Sequence, residues 1–330
     1  MRIAINGFGR IGRVTMRAIL QRGNIEVVAI NDLTDNNTLR HLFKYDSVHG
    51  GFKGTIENDE NSLTFNGNRV AVYAERDPAK LPWKELEVDL VLECTGLFRS
   101  RDTAGKHIEA GAKRVVISAP AKDKDIPSVV LGVNDHLVDL TAPIISNASC
   151  TTNCAGPMVK VLEDACHVES IFVSTIHAYT GDQNIHDAPH SDLRRARAAA
   201  QSIIPTTTGA AKALGRIFPH LEGHLGGAGI RVPVLDGSLT DLTCIVRSDI
   251  SVDEVNALFK EQAAGPLKGI LEYTEDPIVS CDIIGNPHSC VFDAGLTSVI
   301  GKMVKVVGWY DNEVGYSNRL ADLVERLAKQ

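Results

Sequence analysis

Residues 7–12 read Gly-Phe-Gly-Arg-Ile-Gly, and their setting constrains this chain more than any other feature. They follow a short strand-like segment, Arg2–Asn6, and open a segment, Arg10–Gln21, in which Ile11, Val14 and Ala18 recur at helical spacing. The next strand-like run, Glu26–Asn31, leads into Asp32, 20 residues after Gly12. A GxGxxG stretch alone is a weak signal. Strand, glycine turn, helix and a later acid at this spacing together form the fingerprint of a dinucleotide site. Gly7 permits the tight turn, Gly9 lets backbone approach a pyrophosphate, and Gly12 allows close packing of helix on sheet. The helix start adds amides and positive potential. A carboxylate at Asp32 suits ribose hydroxyls and repels a 2′-phosphate, and Leu33 offers such a phosphate no donor. NAD is therefore favoured over NADP.

The first half continues the same alternation. Asp89–Glu93 and Arg114–Ser118 read as strands, and Thr103–Ala110 as a helix. This order predicts an α/β fold with an open, mostly parallel sheet and helices on both faces. Residues 51–73 carry short alternating segments around Asn66-Gly67, which predicts an inserted hairpin. Beyond residue 150 the pattern changes. Cys150–Cys166 reads as a helix, followed by strands at Glu169–Ala178, Gly229–Val232, Leu239–Arg247 and Lys302–Tyr310. Few helices intervene, so an antiparallel sheet in an α+β second domain is expected. Residues 179–208 show neither period and contain Arg194, Arg195 and Arg197; loops of this length in compact chains are usually functional. Glu313–Lys329 reads as a closing amphipathic helix.

Composition narrows the function classes. A chain of 330 residues has room for about two domains. A net charge of −7 with 5% aromatic residues argues against a dedicated nucleic-acid binder. No apolar run nears the roughly 18 residues of a membrane span, and no secretory leader follows Met1. Seven cysteines without a CxxC pair read as reduced thiols, which implies a cytoplasmic protein. No HExxH, zinc-spaced cysteine quartet or P-loop occurs, so neither metal catalysis nor nucleotide hydrolysis finds support.

The second chemical signal is Asn-Ala-Ser-Cys-Thr-Thr-Asn-Cys at 147–154. Cys150 falls at the start of the expected helix, where amides and the macrodipole favour a thiolate nucleophile. His177 follows 27 residues later, at the end of an expected strand. A helix and a returning strand can bring its imidazole to the thiol. Taken singly, each residue reads more simply as a packing residue.

Five segments then carry a resemblance over essentially the whole chain: INGFGRIGR, SNASCTTNC, HAYTGDQ, DLRRARAAAQSIIPTTTGAAKA and WYDNEVGYS. The chain resembles the phosphorylating glyceraldehyde-3-phosphate dehydrogenases. The resemblance implies a Rossmann NAD-binding domain over residues 1–149, to which residues 313–330 return, and a catalytic domain with a mixed or antiparallel sheet over 150–312. It implies Cys150 as nucleophile and His177 as base, with glyceraldehyde 3-phosphate and inorganic phosphate as substrates and a homotetrameric assembly. By the same resemblance, Thr180, Asp182 and Arg231 hold the substrate's phosphate. Ser149, Thr151, Thr208, Gly209 and Arg195 hold inorganic phosphate. Arg10 and Ile11 join the glycines at the pyrophosphate, Arg76 and Ser118 lie toward the adenosine and nicotinamide ends, and Asn312 meets the nicotinamide amide. Pro189 matches members that use NAD, while Ala188 replaces their usual leucine.

Residues 233–238 depart from the family pattern, reading Pro-Val-Leu-Asp-Gly-Ser where many members have Pro-Thr-Pro-Asn-Val-Ser, and Val314 replaces an aromatic or threonine. Cys154 lies one turn beyond Cys150; packing is its expected role, with a redox partnership as the alternative. Rival readings are an erythrose-4-phosphate dehydrogenase, a semialdehyde dehydrogenase type of acyl-phosphate reductase, and an NAD-binding interaction protein without catalysis. The intact HAYTGDQ and TTTGAAKA segments weigh against the first.

Overall fold

The computed structural model describes residues 1–329. The described residues divide into two compact units: residues 1–129, 137–148 and 317–329 form one, and residues 130–136 and 149–316 the other.

In the first unit, β1 (Arg2–Asn6) leads into α1 (Arg10–Arg22) and β2 (Glu26–Asn31). Gly23, with φ 69°, ends α1 in the left-handed conformation, and its amide donates to the Ile19 carbonyl. Then follow α2 (Asn36–Lys44), β3 (Ile56–Asn58), β4 (Ser62–Phe65) and β5 (Asn68–Tyr73). The unit's remaining elements before the second unit are β6 (Leu90–Glu93), α3 (Arg101–Glu109), β7 (Arg114–Ile117) and β8 (Ile144–Ser146). The strands form one sheet in the order β3-β4-β5-β2-β1-β6-β7-β8. From β5 to β8 all pairings are parallel, while β3-β4-β5 is the expected antiparallel insertion. Its β4–β5 turn uses Asn66 (φ 49°) and Gly67 (φ 84°), the two left-handed positions of a tight hairpin turn. Apolar runs such as Leu90-Val-Leu are fully buried because both sheet faces are covered. Strand order reverses between β1 and β6, which opens a crevice at their carboxyl ends.

The second unit contains α4 (Cys150–Cys166), β9 (Val168–Ala178), β10 (Ile204–Thr206), α5 (Ala210–Ile217) and β11 (Leu225–Val232). It continues through β12 (Ser238–Val246), α6 (Val252–Ala264), β13 (Leu271–Thr274), β14 (Cys290–Asp293), β15 (Ser298–Ile300) and β16 (Met303–Tyr310). The last helix, α7 (Val314–Ala328), begins here, and its residues from Ser317 onward belong to the first unit. There Arg22 pairs with Asp322 at 2.6 Å and Glu325 at 3.0 Å.

The strand pattern alone points to an antiparallel second sheet, whereas the resemblance implies a mixed or antiparallel one. The second sheet, β10-β11-β9-β12-β16-β14-β13 with β15 on β16, is mixed and not purely antiparallel. β9 runs parallel to β11 and β13 to β14, because the segment between β9 and β11 holds a loop, β10 and α5 and so returns the chain to the same end. Residues 179–208 are also less irregular than their sequence: Ile204–Thr206 adds an edge strand to β11. Residues 130–136 pack with the second unit although the resemblance assigned them to the first domain. A side chain on Gly132 (φ 78°) would press on Ile270 and Leu267.

Candidate active site

The crevice of the first unit is a cleft of about 380 Å³ whose lining includes Gly7, Gly9, Asp32, Leu33 and Arg76. Gly7 has φ 92°, and a Cβ there would come within 2.8 Å of the Thr95 amide nitrogen. On Gly12 a Cβ would overlap the Gly7 carbonyl, whereas beside Gly9 the space is open. The first α-helical bond runs from the Arg13 amide to the Gly9 carbonyl at 3.0 Å, so the amides of residues 10–12 face the helix's open end. Asp32 accepts from the Phe8 amide at 2.7 Å and the Thr34 amide at 2.9 Å, one on each oxygen. A carboxylate has about four acceptor positions, so capacity remains for a diol. Glycines that leave room for a pyrophosphate, beside an oriented acid, fit NAD.

Arg10 departs from expectation. Its guanidinium is bidentate to the buried Asp46 at 2.7 and 3.2 Å, so at a pyrophosphate Arg10 offers its main-chain amide and not its charge. The Ser118 amide donates to the Glu93 carbonyl at 3.0 Å. Asn312 belongs to the second unit, is buried, and accepts from the Ser238 hydroxyl at 2.6 Å through its side-chain oxygen.

In the second unit α4 begins at Cys150 itself, with Ser149 as its cap: the Ser149 hydroxyl accepts from the Thr152 amide at 3.1 Å. The parallel β9–β11 register pairs His177 with Arg231. His177 Nε2 lies 3.5 Å from Cys150 Sγ, and Nδ1 lies 2.7 Å from the Ala178 carbonyl. Arg231 Nη1, a donor, also lies 3.1 Å from Nδ1, but its two hydrogens have the Ala178 carbonyl and the Thr180 hydroxyl as acceptors at 3.0 Å each. The shorter 2.7 Å contact to a carbonyl, which can only accept, then assigns the proton to Nδ1 and leaves Nε2 bare toward the thiol. Burial pushes the Cys150 thiol up to about 11, against the opposing charge of Arg231 and the amide and hydroxyl of Thr151. Burial and then the Arg231 charge push His177 down to about 4. The expected helix-start effect is present but weaker than desolvation, so thiol and neutral imidazole are the favoured pair.

Thr180, Asp182 and Arg231, the first phosphate set implied by the resemblance, are joined in one network to Arg195 of the second. Arg231 Nη1 donates to the Ala178 carbonyl and the Thr180 hydroxyl, each at 3.0 Å. Thr180 in turn donates to Asp182, and Arg195 forms an ion pair with the same carboxylate. Arg195 Nε also donates to Thr206 on β10 at 3.0 Å. Burial raises the Asp182 carboxyl, but the Thr180 hydroxyl and the charges of Arg231 and Arg195 outweigh it and hold it below the usual range. Asp182, placed by the resemblance in the substrate-phosphate set, orients Thr180 and Arg195. The Thr208 hydroxyl accepts from the Ala210 amide at 3.2 Å, and Gly209 occupies the cap of α5.

Sequence reasoning missed Tyr310. Its hydroxyl bridges Thr151 at 2.9 Å and Thr175 at 3.0 Å, and its ring meets His177 edge-on at 5.9 Å between centroids. Tyr310 lies in the WYDNEVGYS segment, but only the β12–β16 pairing shows which way it faces. Asp236 is 1% exposed and accepts from the Gly237 amide at 2.8 Å. Burial, then the neighbouring charges of Asp311 and Glu313, push it up to about 9. Asp311 itself accepts from three amides, those of Gly285 at 2.7 Å, Glu313 at 2.9 Å and Val314 at 2.6 Å. Cys154 is fully buried, with its thiol 3.6 Å from the Gly308 carbonyl.

Known proteins are similar to this chain along its length. Residues 1–101 match the family model of the glyceraldehyde 3-phosphate dehydrogenase NAD binding domain, and residues 149–312 that of the C-terminal domain. The chain belongs to the glyceraldehyde 3-phosphate dehydrogenase family. It is 54% identical over 333 residues to glyceraldehyde-3-phosphate dehydrogenase 2 of Streptomyces avermitilis, an alignment covering 100% of this chain and 99% of the relative. The glyceraldehyde-3-phosphate dehydrogenases of Mycobacterium tuberculosis and Geobacillus stearothermophilus are each 54% identical with the same coverage. As a member of this dehydrogenase family the chain is an NAD-dependent oxidoreductase acting on an aldehyde group. The rival readings are not favoured.

Proposed function

We propose that this glyceraldehyde 3-phosphate dehydrogenase oxidises glyceraldehyde 3-phosphate with inorganic phosphate to 1,3-bisphosphoglycerate through a covalent intermediate on Cys150. The observation that carries the reading is the bare Nε2 of His177 facing Cys150 Sγ at 3.5 Å, at the start of α4. Cys150 sulfur adds to the aldehyde carbon as His177 Nε2 takes the thiol proton, and the oxygen so charged lies toward the Cys150 amide and the imidazolium. When bound, NAD supplies the acceptor for the hydride that leaves the hemithioacetal carbon. The imidazolium first returns its proton to the hemithioacetal oxygen, giving the hydroxyl; His177 takes that proton again as the hydride leaves, and a thioester remains on Cys150. Inorganic phosphate then attacks the thioester carbonyl, and the Cys150 thiolate leaves.

Arg231 and Thr180 are our proposed contacts for the substrate's phosphate, and Arg195, Ser149, Thr151, Thr208 and Gly209 for the attacking one. Guanidinium forks, hydroxyls and a helix start are suited to phosphate oxygens. Gly7, Gly9, Arg10 through its main-chain amide, Ile11, Gly12, Asp32, Arg76, Ser118 and Asn312 are the proposed NAD contacts. A homotetramer is supported by large apolar side chains exposed in one loop region, Ile185, Leu193 and Ile203 among them. Sedimentation at micromolar concentration tests it. Cytoplasmic residence is supported by seven cysteines that are all unpaired. Among the described residues no helix is long and apolar enough to cross a membrane.

The deciding assay follows NADH absorbance with NAD and glyceraldehyde 3-phosphate, with and without phosphate. Sustained turnover should require phosphate. Cys150→Ser should abolish oxidation and leave NAD binding intact, and His177→Asn should lower kcat by about 10²–10⁴-fold. Undiminished turnover in either variant defeats the assignment.

A further inference from the structure

The first unit buries a carboxylate and an imidazole that the chemistry above does not use. Glu93, at the end of β6, is 1% exposed, and His107, in α3, is fully buried. One oxygen of Glu93 accepts from the Thr95 amide at 2.8 Å and from the Thr95 hydroxyl. The other accepts from Asn6 Nδ2 at 2.5 Å and lies 3.2 Å from His107 Nε2. Trp83 Nε1 is 3.0 Å from His107 Nδ1. An indole N–H only donates, so Nδ1 accepts and the imidazole proton sits on Nε2, directed at Glu93. Four donors thus converge on two oxygens, and a deprotonated carboxylate is the group that satisfies all of them.

This polarity is passed on toward the cleft. Because Glu93 takes the Asn6 amide nitrogen, the Asn6 oxygen is turned to Asn31, whose Nδ2 donates to it at 2.7 Å. That orients Asn31, whose oxygen accepts from the Glu75 amide at 2.8 Å and whose Nδ2 also donates to the Glu75 carbonyl at 2.9 Å. Each linked residue directly precedes a proposed NAD contact: Asn6 precedes Gly7, Asn31 precedes Asp32 and Glu75 precedes Arg76. Backbone bonds carry the ladder one residue past the strand ends, from the Gly7 amide to the Asn31 carbonyl at 2.8 Å and from the Asp32 amide to the Tyr73 carbonyl at 2.9 Å. The side-chain relay adds a link from these positions to Glu93 and to Glu75.

We propose that Glu93 and His107 are positioning residues for NAD, setting through Asn6 and Asn31 the spacing of the glycine turn, Asp32 and Arg76. The idea rests on the placement of NAD in this cleft proposed above. It concerns the shape of the site and no chemical step.

The test measures NAD binding calorimetrically on the full chain, with melting temperature and steady-state kinetics alongside. Glu93→Gln puts an amide NH₂ where donors converge, and should weaken NAD binding about tenfold or more. KM for NAD should rise in step, while KM for the aldehyde and iodoacetamide labelling of Cys150 stay at wild-type values. His107→Gln keeps an N–H toward Glu93 and should bind NAD nearly as wild type, whereas His107→Leu should weaken it like Glu93→Gln. Both His107 variants lose the Trp83 bond and should melt lower, so melting alone does not separate them and NAD affinity does. If Glu93→Gln does not fold, the contrast between the His107 variants decides. Wild-type affinity in His107→Leu overturns the proposal. Asp32→Ala is the reference: weakened binding there with unchanged binding in Glu93→Gln refutes positioning alone. Unchanged binding in both refutes the placement of NAD as well.

Discussion

Asp236 offers the sharpest quantitative test of the second unit. Many family members carry asparagine at this position, and this chain carries an acid that burial and the charges of Asp311 and Glu313 push up to about 9. In the unfolded chain the same group titrates at its ordinary value of 3.8. Between these two values the folded state binds a proton that the unfolded state does not, so stability falls as pH rises. Each pH unit costs about 1.36 kcal/mol. From 3.8 to 7 is 3.2 units, or about 4 kcal/mol at neutral pH as an order of magnitude. Asp236→Asn removes the titration. Its amide oxygen still accepts from the Gly237 amide, and its NH₂ replaces the acid's proton toward Asp311. The variant should therefore be more stable than the parent at pH 7 and nearly equal to it near pH 4. With an unfolding entropy of about 2.1 cal/mol/K per residue, 4 kcal/mol in 330 residues corresponds to roughly 6 °C in Tm. The assay is thermal melting of both proteins from pH 4.5 to 8.5. A Tm gap that does not widen with pH, or an asparagine variant that melts lower at pH 8, refutes the buried-acid argument.

Other expectations follow from the same geometry. Arg231 opposes burial at Cys150, so Arg231→Ala should slow iodoacetamide alkylation of that thiol at fixed pH and raise KM for the aldehyde; faster alkylation contradicts the electrostatic role. Gly12→Ala places a methyl on the Gly7 carbonyl, so NAD affinity should fall at least about tenfold; calorimetry showing wild-type affinity would mean the turn can yield. Asp182→Asn removes the carboxylate shared by Thr180 and Arg195, leaving Arg195 paired with Asp192 at 3.6 Å, and KM for both the aldehyde and phosphate should rise together. A change confined to one of them would separate the two proposed phosphate sets.

The dinucleotide half of this molecule was legible because its reasons are local. Gly7, Gly12 and Asp32 answer to backbone space and to charge within one strand–turn–helix unit, and the hairpin at Asn66-Gly67 declares itself through two left-handed residues. The catalytic half was legible only as residue types. Nothing near His177 in sequence shows that Nδ1 meets the Ala178 carbonyl, and nothing near Arg10 shows that its side chain turns to Asp46. The strand pattern alone does not distinguish a mixed sheet from an antiparallel one, because parallel pairing of β9 and β11 depends on what β10 and α5 do between them. Tyr310, Glu93 and His107 escaped for a related reason: each is an ordinary buried residue until a partner far along the chain gives its polar atom a direction.

One pairing in the second unit carries much of this consequence. Residue-for-residue parallel register between β9 and β11 sets Arg231 against His177 and Gly229 against Thr175. On the other side of β11, Ile204 meets Arg231 and Thr206 meets Gly229. A side chain at Gly229 would press on Thr206, the residue that receives Arg195 Nε. The small residues of Leu225–Val232 are therefore no mark of a weak strand. They let β10 and β9 both approach β11 closely, and so bring Arg195 and Arg231 to one carboxylate, Asp182. A one-residue slip would turn Arg231 to the opposite face, away from both His177 and Thr180. Base and anion site consequently stand or fall with the same ladder.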